Sequence, residues 1–144
     1  MAMSFPHRPF KPVSIFRLQS DCRRALELVA KIETENKRLG RENPPLDAEL
    51  SYTRSWSLYG LYFAEKIRGG VALAEFRRHG DPADQERAVE ILTRAASFWE
   101  QLAESIAIYN HEVIPDVYDD EFSWKKFIPE VYKDIEIARQ AEGP

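Results

Sequence analysis

Three histidines, His7, His79 and His111, are the side chains of this sequence best suited to acid–base or metal chemistry near neutral pH. They do not converge. His7 lies in a proline-rich opening segment, His79 precedes a Gly-Asp-Pro turn, and His111 stands beside Glu112 at the head of an acidic stretch. A zinc site would show His-Glu-x-x-His or closely spaced Cys/His couples, because the ligands must surround one metal from a single helix face or tight loop. Neither spacing occurs. Asp116, Asp119, Asp120 and Glu121 gather carboxylates of the kind calcium takes, but the alternation and central glycine of an EF-hand are missing. This stretch reads as a solvated loop that leads into a last helix. Glycoside hydrolysis would need two carboxyls across a cleft, one of them held protonated. Glu49, Glu65, Glu75, Glu100 and Glu104 all fall in helical segments, with Arg68 three residues after Glu65, and read as surface acids. No glycine loop for phosphate and no nucleophile elbow is present. The expectation is a chain without catalytic residue, metal or cofactor, and therefore not an enzyme.

The aromatic residues are more informative. Tyr52, Trp56, Tyr59, Tyr62 and Phe63 crowd one stretch, Phe98, Trp99 and Tyr109 another, and Trp124, Phe127 and Tyr132 lie near the end. Aromatics mostly fill cores, yet one helical stripe cannot hold Tyr52, Tyr59 and Tyr62 together. The set therefore reads as core alone or, for the excess, as a contact surface or ligand groove. Trp56, Tyr59, Tyr62, Lys66, Arg68 and Trp99 are the candidate contact residues, for a partner or neighbouring domain, with self-association as one form of it. The alternative is a groove for a sugar lined by Trp56, Tyr59, Tyr62 and Lys66.

Periodicity places these residues on helices. Pro6, Pro9 and Pro12 keep residues 1–13 extended; Phe5 and Phe10 could dock that leader on the body. A first helix is predicted from Ser14 or Ser20 to Leu39, with Cys22, Ala25, Leu26, Val29, Ile32 and Leu39 on one face. Cys22, the sole cysteine, reads as a small buried hydrophobe. Gly40 ends the helix and Asn43-Pro44-Pro45 interrupts the chain.

A long second helix, Leu46 or Asp47 to Arg78, is expected to bury Leu50, Thr53, Trp56, Tyr59, Phe63, Ile67, Val71, Ala74 and Arg78. Gly60, Gly69 and Gly70 inside it imply either close approach of another helix or a bend. His79-Gly80-Asp81-Pro82 combines a glycine stop, an Asp cap and a proline start, so the third helix, Pro82 to Tyr109, must fold back antiparallel. Its face is Ala88, Ile91, Leu92, Ala95, Phe98, Trp99, Leu102, Ile106 and Tyr109. A last helix, Pro129 to Ala141, should bury Val131, Ile135 and Ala138. The fold class is thus all-α, an elongated up-down bundle of three long helices and a shorter one, with residues 14–144 as one domain.

Composition agrees. The 144 residues carry a net charge of −4 with acidic and basic side chains interspersed, which excludes the basic face of a nucleic-acid binder. No apolar run long enough for a membrane span or a secretory signal is present, and a chain that naturally starts at Met1 would be expected in the cytoplasm. No 34-residue repeat supports a tetratricopeptide array.

From Ala48 to Arg139 the sequence resembles a helical region of large bacterial carbohydrate-active proteins, α-glucuronidase-like or bearing carbohydrate-binding modules. The features that carry this are Gly60, Tyr62 to Arg68, Gly80-Asp81-Pro82, Ala88-Val89, Trp99, and the end from Phe127 to Arg139. The resemblance implies an accessory, non-catalytic helical segment in a carbohydrate-processing setting.

Overall fold

A computed structural model of the chain describes residues 13–40, 42–108, 114–115 and 121–144. Four α-helices account for nearly all of them: α1 (Val13–Arg38), α2 (Pro44–His79), α3 (Pro82–Ala107) and α4 (Ile128–Arg139). Two-residue strands, β1 (Ile114–Pro115) and β2 (Glu121–Phe122), pair antiparallel, and a single 3-10 turn, Lys125–Phe127, leads into α4. The all-α bundle of three long helices and one short helix is therefore the fold. The proline-rich leader, His7, His111, Tyr109 and the carboxylates of Asp116, Asp119 and Asp120 lie outside the described residues.

The helix ends follow local chemistry. Gly40 closes α1 at φ +59°, where a side chain would be strained. The Asn43 side chain accepts from the Leu46 amide, and α2 starts on a proline at Pro44, two residues earlier than periodicity suggests. Gly80, at φ +73°, returns its amide to the Phe76 carbonyl. Asp81 then caps α3 through the Ala83 amide, ahead of Pro82. Only two residues separate α2 from α3, so the helices must run antiparallel.

Helices adjacent in sequence are adjacent in space: α1 packs on α2, α2 on α3, and α3 on α4. The core is built largely from small residues. Ala64, Ala72, Ala88, Ala95, Ala96 and Ala138 are all essentially inaccessible, interleaved with Leu61, Ile91, Leu92, Leu102 and Ile135. Small side chains let helix axes approach closely, and two glycines take this furthest. A Cβ at Gly69 would stand 2.6 Å from Leu92 Cγ, and one at Gly60 would stand 2.6 Å from the Cys22 sulfur. Gly69 and Gly60 therefore mark close helix approach, the first of the two readings offered for them. A Cβ at Gly70 would meet nothing within 4 Å. In the first turn of α3, Gln85 donates its amide to the carbonyls of Ala138, Arg139 and Ala141, satisfying the C-terminal end of α4.

The expected faces of α3 and α4 are observed. Val131, Ile135 and Ala138 are buried, as are Ala88, Ile91, Leu92, Ala95, Trp99 and Leu102; Phe98 and Ile106 are half-buried. On α1, Cys22 and Val29 are buried, but Ile32 and Leu39 are exposed.

The expected stripe of α2 is corrected. Of its nine residues only Leu50 is buried and Tyr59 half-buried; Thr53, Trp56, Phe63, Ile67, Val71, Ala74 and Arg78 face outward. The buried side instead carries Leu58, Leu61, Tyr62, Ala64, Glu65, Ala72, Leu73 and Phe76. Both sides of α2 are apolar, so hydrophobic spacing alone names two faces. The face rich in small residues is the one that admits neighbouring helices.

Candidate functional site

The outer side of α2 is the most unusual surface among the described residues. At 100° per residue, Tyr52, Trp56, Phe63, Ile67, Gly70 and Ala74 cluster on a face roughly opposite Leu58, Leu61 and Ala72. Trp56 is 70% exposed, Val71 56% and Phe63 48%. An apolar stripe of this length, with a separate core on the helix's other side, is not required by the fold of this chain. On α1, Leu18, Leu28 and Ile32 are also exposed, and Leu18 adjoins Gly60 of α2. Between the two helices runs a shallow open groove lined by Cys22, Glu49, Tyr52, Thr53, Trp56 and Ser57.

Aromatic contacts tie this surface to the core through Tyr59. Its ring lies 6.2 Å from Trp56 and 5.8 Å from Phe63 on the outer side, and 6.3 Å from Tyr62, 6.5 Å from Trp99 and 6.2 Å from Trp124 on the inner side. Tyr62 and Trp99 meet edge-on at 4.8 Å, and Trp99 lies 5.3 Å from Trp124. The Trp99 Nε1–H donates to the Trp124 carbonyl at 3.0 Å, which settles the polar end of a buried indole.

The six candidate contact residues are thus divided. Trp56 is exposed and Tyr59 half-buried. Tyr62 and Trp99 belong to the core cluster, at 7% and 9% exposure. Lys66 and Arg68 are engaged within the fold. The Lys66 ammonium bonds Asp134 of α4 at 2.7 Å, donates to the Tyr62 hydroxyl at 3.3 Å and lies 5.7 Å from the Tyr62 ring centre. Partial burial works against its charge, but the hydrogen bonds it donates to Asp134 and Tyr62 outweigh it and hold the Lys66 pKa above the usual lysine value.

Arg68 leads to a residue that sequence reading placed on the surface. Glu65 is 1% exposed. Its carboxylate accepts from the Gln19 amide of α1 at 2.7 Å and from Arg68 at 3.2 and 3.3 Å, and Arg94 of α3 approaches to 3.7 Å. A buried charge persists only when paired and hydrogen-bonded, so this cluster pins three helices in one register. The signal in the sequence was an acid in phase with Leu58, Leu61 and Ala72, one turn before an arginine.

Other reactive side chains among the described residues serve the helices. His79 pairs with Glu75 one turn before it on α2. The Cys22 thiol is pushed up by burial and, secondarily, by the charge of Asp21, which disfavours the nucleophilic thiolate. The Tyr132 hydroxyl donates to Glu100 at 2.9 Å, which raises its pKa. Among the described residues no group of three His, Cys, Asp or Glu side chains could hold a metal ion, and no helix is long and apolar enough to cross a membrane.

Phe63, Ile67 and Val71 complete the outer face and were assigned to the core by periodicity; only the location of α1 and α3 distinguishes them from core residues. No family model, curated protein or solved structure matches the chain.

Proposed function

We propose that the chain is a non-catalytic helical module that docks on a protein through the outer face of α2. The observation that carries this is the second apolar stripe, Trp56, Phe63, Ile67 and Val71, on a helix whose other side is already buried. Exposed aromatic and aliphatic anchors surrounded by polar residues are the chemistry of a protein contact. The carbohydrate-processing setting rests on the sequence resemblance alone.

A photoactivatable phenylalanine analogue placed at Phe63 in expressing cells tests the reading. Adducts to protein are expected there, and not at the comparably exposed Ile137 of α4. Equal or no adducts at the two positions would overturn it.

A sugar groove is the second reading, supported by Trp56 standing at the rim of the α1–α2 groove beside Glu49, Tyr52 and Thr53. Titration with acidic and neutral xylan-type oligosaccharides, read by tryptophan fluorescence, should then give a saturable change that Trp56→Phe removes.

A further inference from the structure

We infer that the occupant of the outer α2 face is a second copy of this chain, paired antiparallel about a two-fold axis at Phe63; this inference rests on the docking reading above. Counting outward from Phe63 in steps of four, three, four and three residues meets Ile67, Gly70, Ala74 and Arg77 in one direction. In the other it meets Tyr59, Trp56, Tyr52 and Glu49. These steps keep to one face of a helix packed against another. A two-fold axis at the centre sets each residue against its counterpart, as an isologous interface requires.

The counterparts are complementary at every step. Phe63 meets Phe63, and Tyr59 meets Ile67. Trp56, the most exposed of the ring residues on α2, meets Gly70, beside which a Cβ would find open space. Tyr52 meets Ala74. At the rim, Glu49 meets Arg77, with Arg78 next to it. Glu49, Arg77 and Arg78 are exposed and have no ion-pair partner among the described residues. The bulky half of the stripe thus faces the small half, and the acidic end of α2 faces the basic end.

Size agrees. Glu49 to Arg77 spans about 42 Å of helix. With the exposed edge of α1 alongside, at an interaxial spacing of about 10 Å, the face covers about 800 Å² on each copy, the area of an ordinary stable interface.

Sedimentation velocity of the full chain, from about 1 to 100 µM, tests this. The expected result is a reversible dimer of the 16.7 kDa chain. Phe63→Glu, or Ile67→Glu as a second variant, should yield a monomer with unchanged helical circular dichroism. Glu49→Arg and Arg77→Glu should each weaken the dimer about tenfold by placing like charges across the axis, and the double reversal should restore it. A monomer at about 100 µM, a dimer indifferent to Phe63→Glu and Ile67→Glu, or a double reversal no better than the single changes would each overturn the inference. A monomeric chain whose Phe63 crosslinker still captures a different protein would overturn the second copy and leave the docking reading standing.

Discussion

The two sides of α2 both carry large apolar residues and behave as different materials. Toward α1 and α3, Leu58, Leu61, Ala64 and Ala72 are buried, Leu58 and Ala72 in one cluster with alanines from α3, and Gly69 lies against Leu92. Away from them, Trp56, Phe63, Ile67 and Val71 are exposed, and a Cβ at Gly70 would meet nothing within 4 Å. Burial depends on how near a neighbour can come, and small residues set that distance. Large side chains on the open side are free to meet something that does not belong to this fold. The polar groups divide in the same way: Glu65 is enclosed by Gln19, Arg68 and Arg94, whereas Glu49 and Arg77 remain unpaired in solvent among the described residues.

The contrast can be broken most directly with two apolar truncations two residues apart. At a concentration where the chain is monomeric, Leu61→Ala should cost about 2–5 kcal/mol of unfolding free energy, while Phe63→Ala should change it by less than about 0.5 kcal/mol. Equal losses by urea denaturation would show that the outer face is core. A smaller effect is expected at the polar cluster. Glu65→Ala leaves the buried Gln19 amide without its acceptor and should cost about 1–3 kcal/mol, whereas Glu49→Ala should be near neutral. Glu65→Gln, which keeps an acceptor for Gln19, should fall between them.

The adjacent glycines sharpen the comparison further. Gly70→Ala should stabilise the monomer by up to about 1 kcal/mol, since alanine favours helix and space is available. Gly69→Ala drives a methyl into Leu92, and overpacking of about 1–3 kcal/mol should cancel or reverse that gain. Thermal melts that move together for the two variants would contradict the packing described for Gly69. The smallest effect is spectroscopic. Trp56→Phe should remove most of the acrylamide-quenchable fluorescence of the monomer, and Trp99→Phe should remove a protected component. Similar quenching of Trp56 and Trp99 would erase the distinction between the two sides.

Much of this architecture is legible in the residues themselves. Gly80, Asp81 and Pro82 each act within one turn of chain, so the α2–α3 hairpin is a local consequence of their backbone preferences. The α3 face is equally plain, because its apolar residues recur on one side only and the opposite side is charged. On α2 the same method assigns Trp56, Phe63, Ile67 and Val71 to the core, and the structure places them outside. The physical reason is that spacing along a helix reports that a face is apolar, not what lies against it. Glu65 and Tyr62 show the complementary limit, since an acid and a tyrosine counted as surface groups are buried by partners contributed from other helices.

What the sequence determined by itself is therefore the number and order of the helices and the α2–α3 turn, because caps, glycines, prolines and periodicity act over a few residues. Which side of α2 is interior, and with it the identity of the exposed stripe, was decided only by tertiary structure. Alanine and glycine contacts between neighbouring helices, made by residues tens of positions apart in the chain, choose between two apolar faces that local chemistry leaves equivalent.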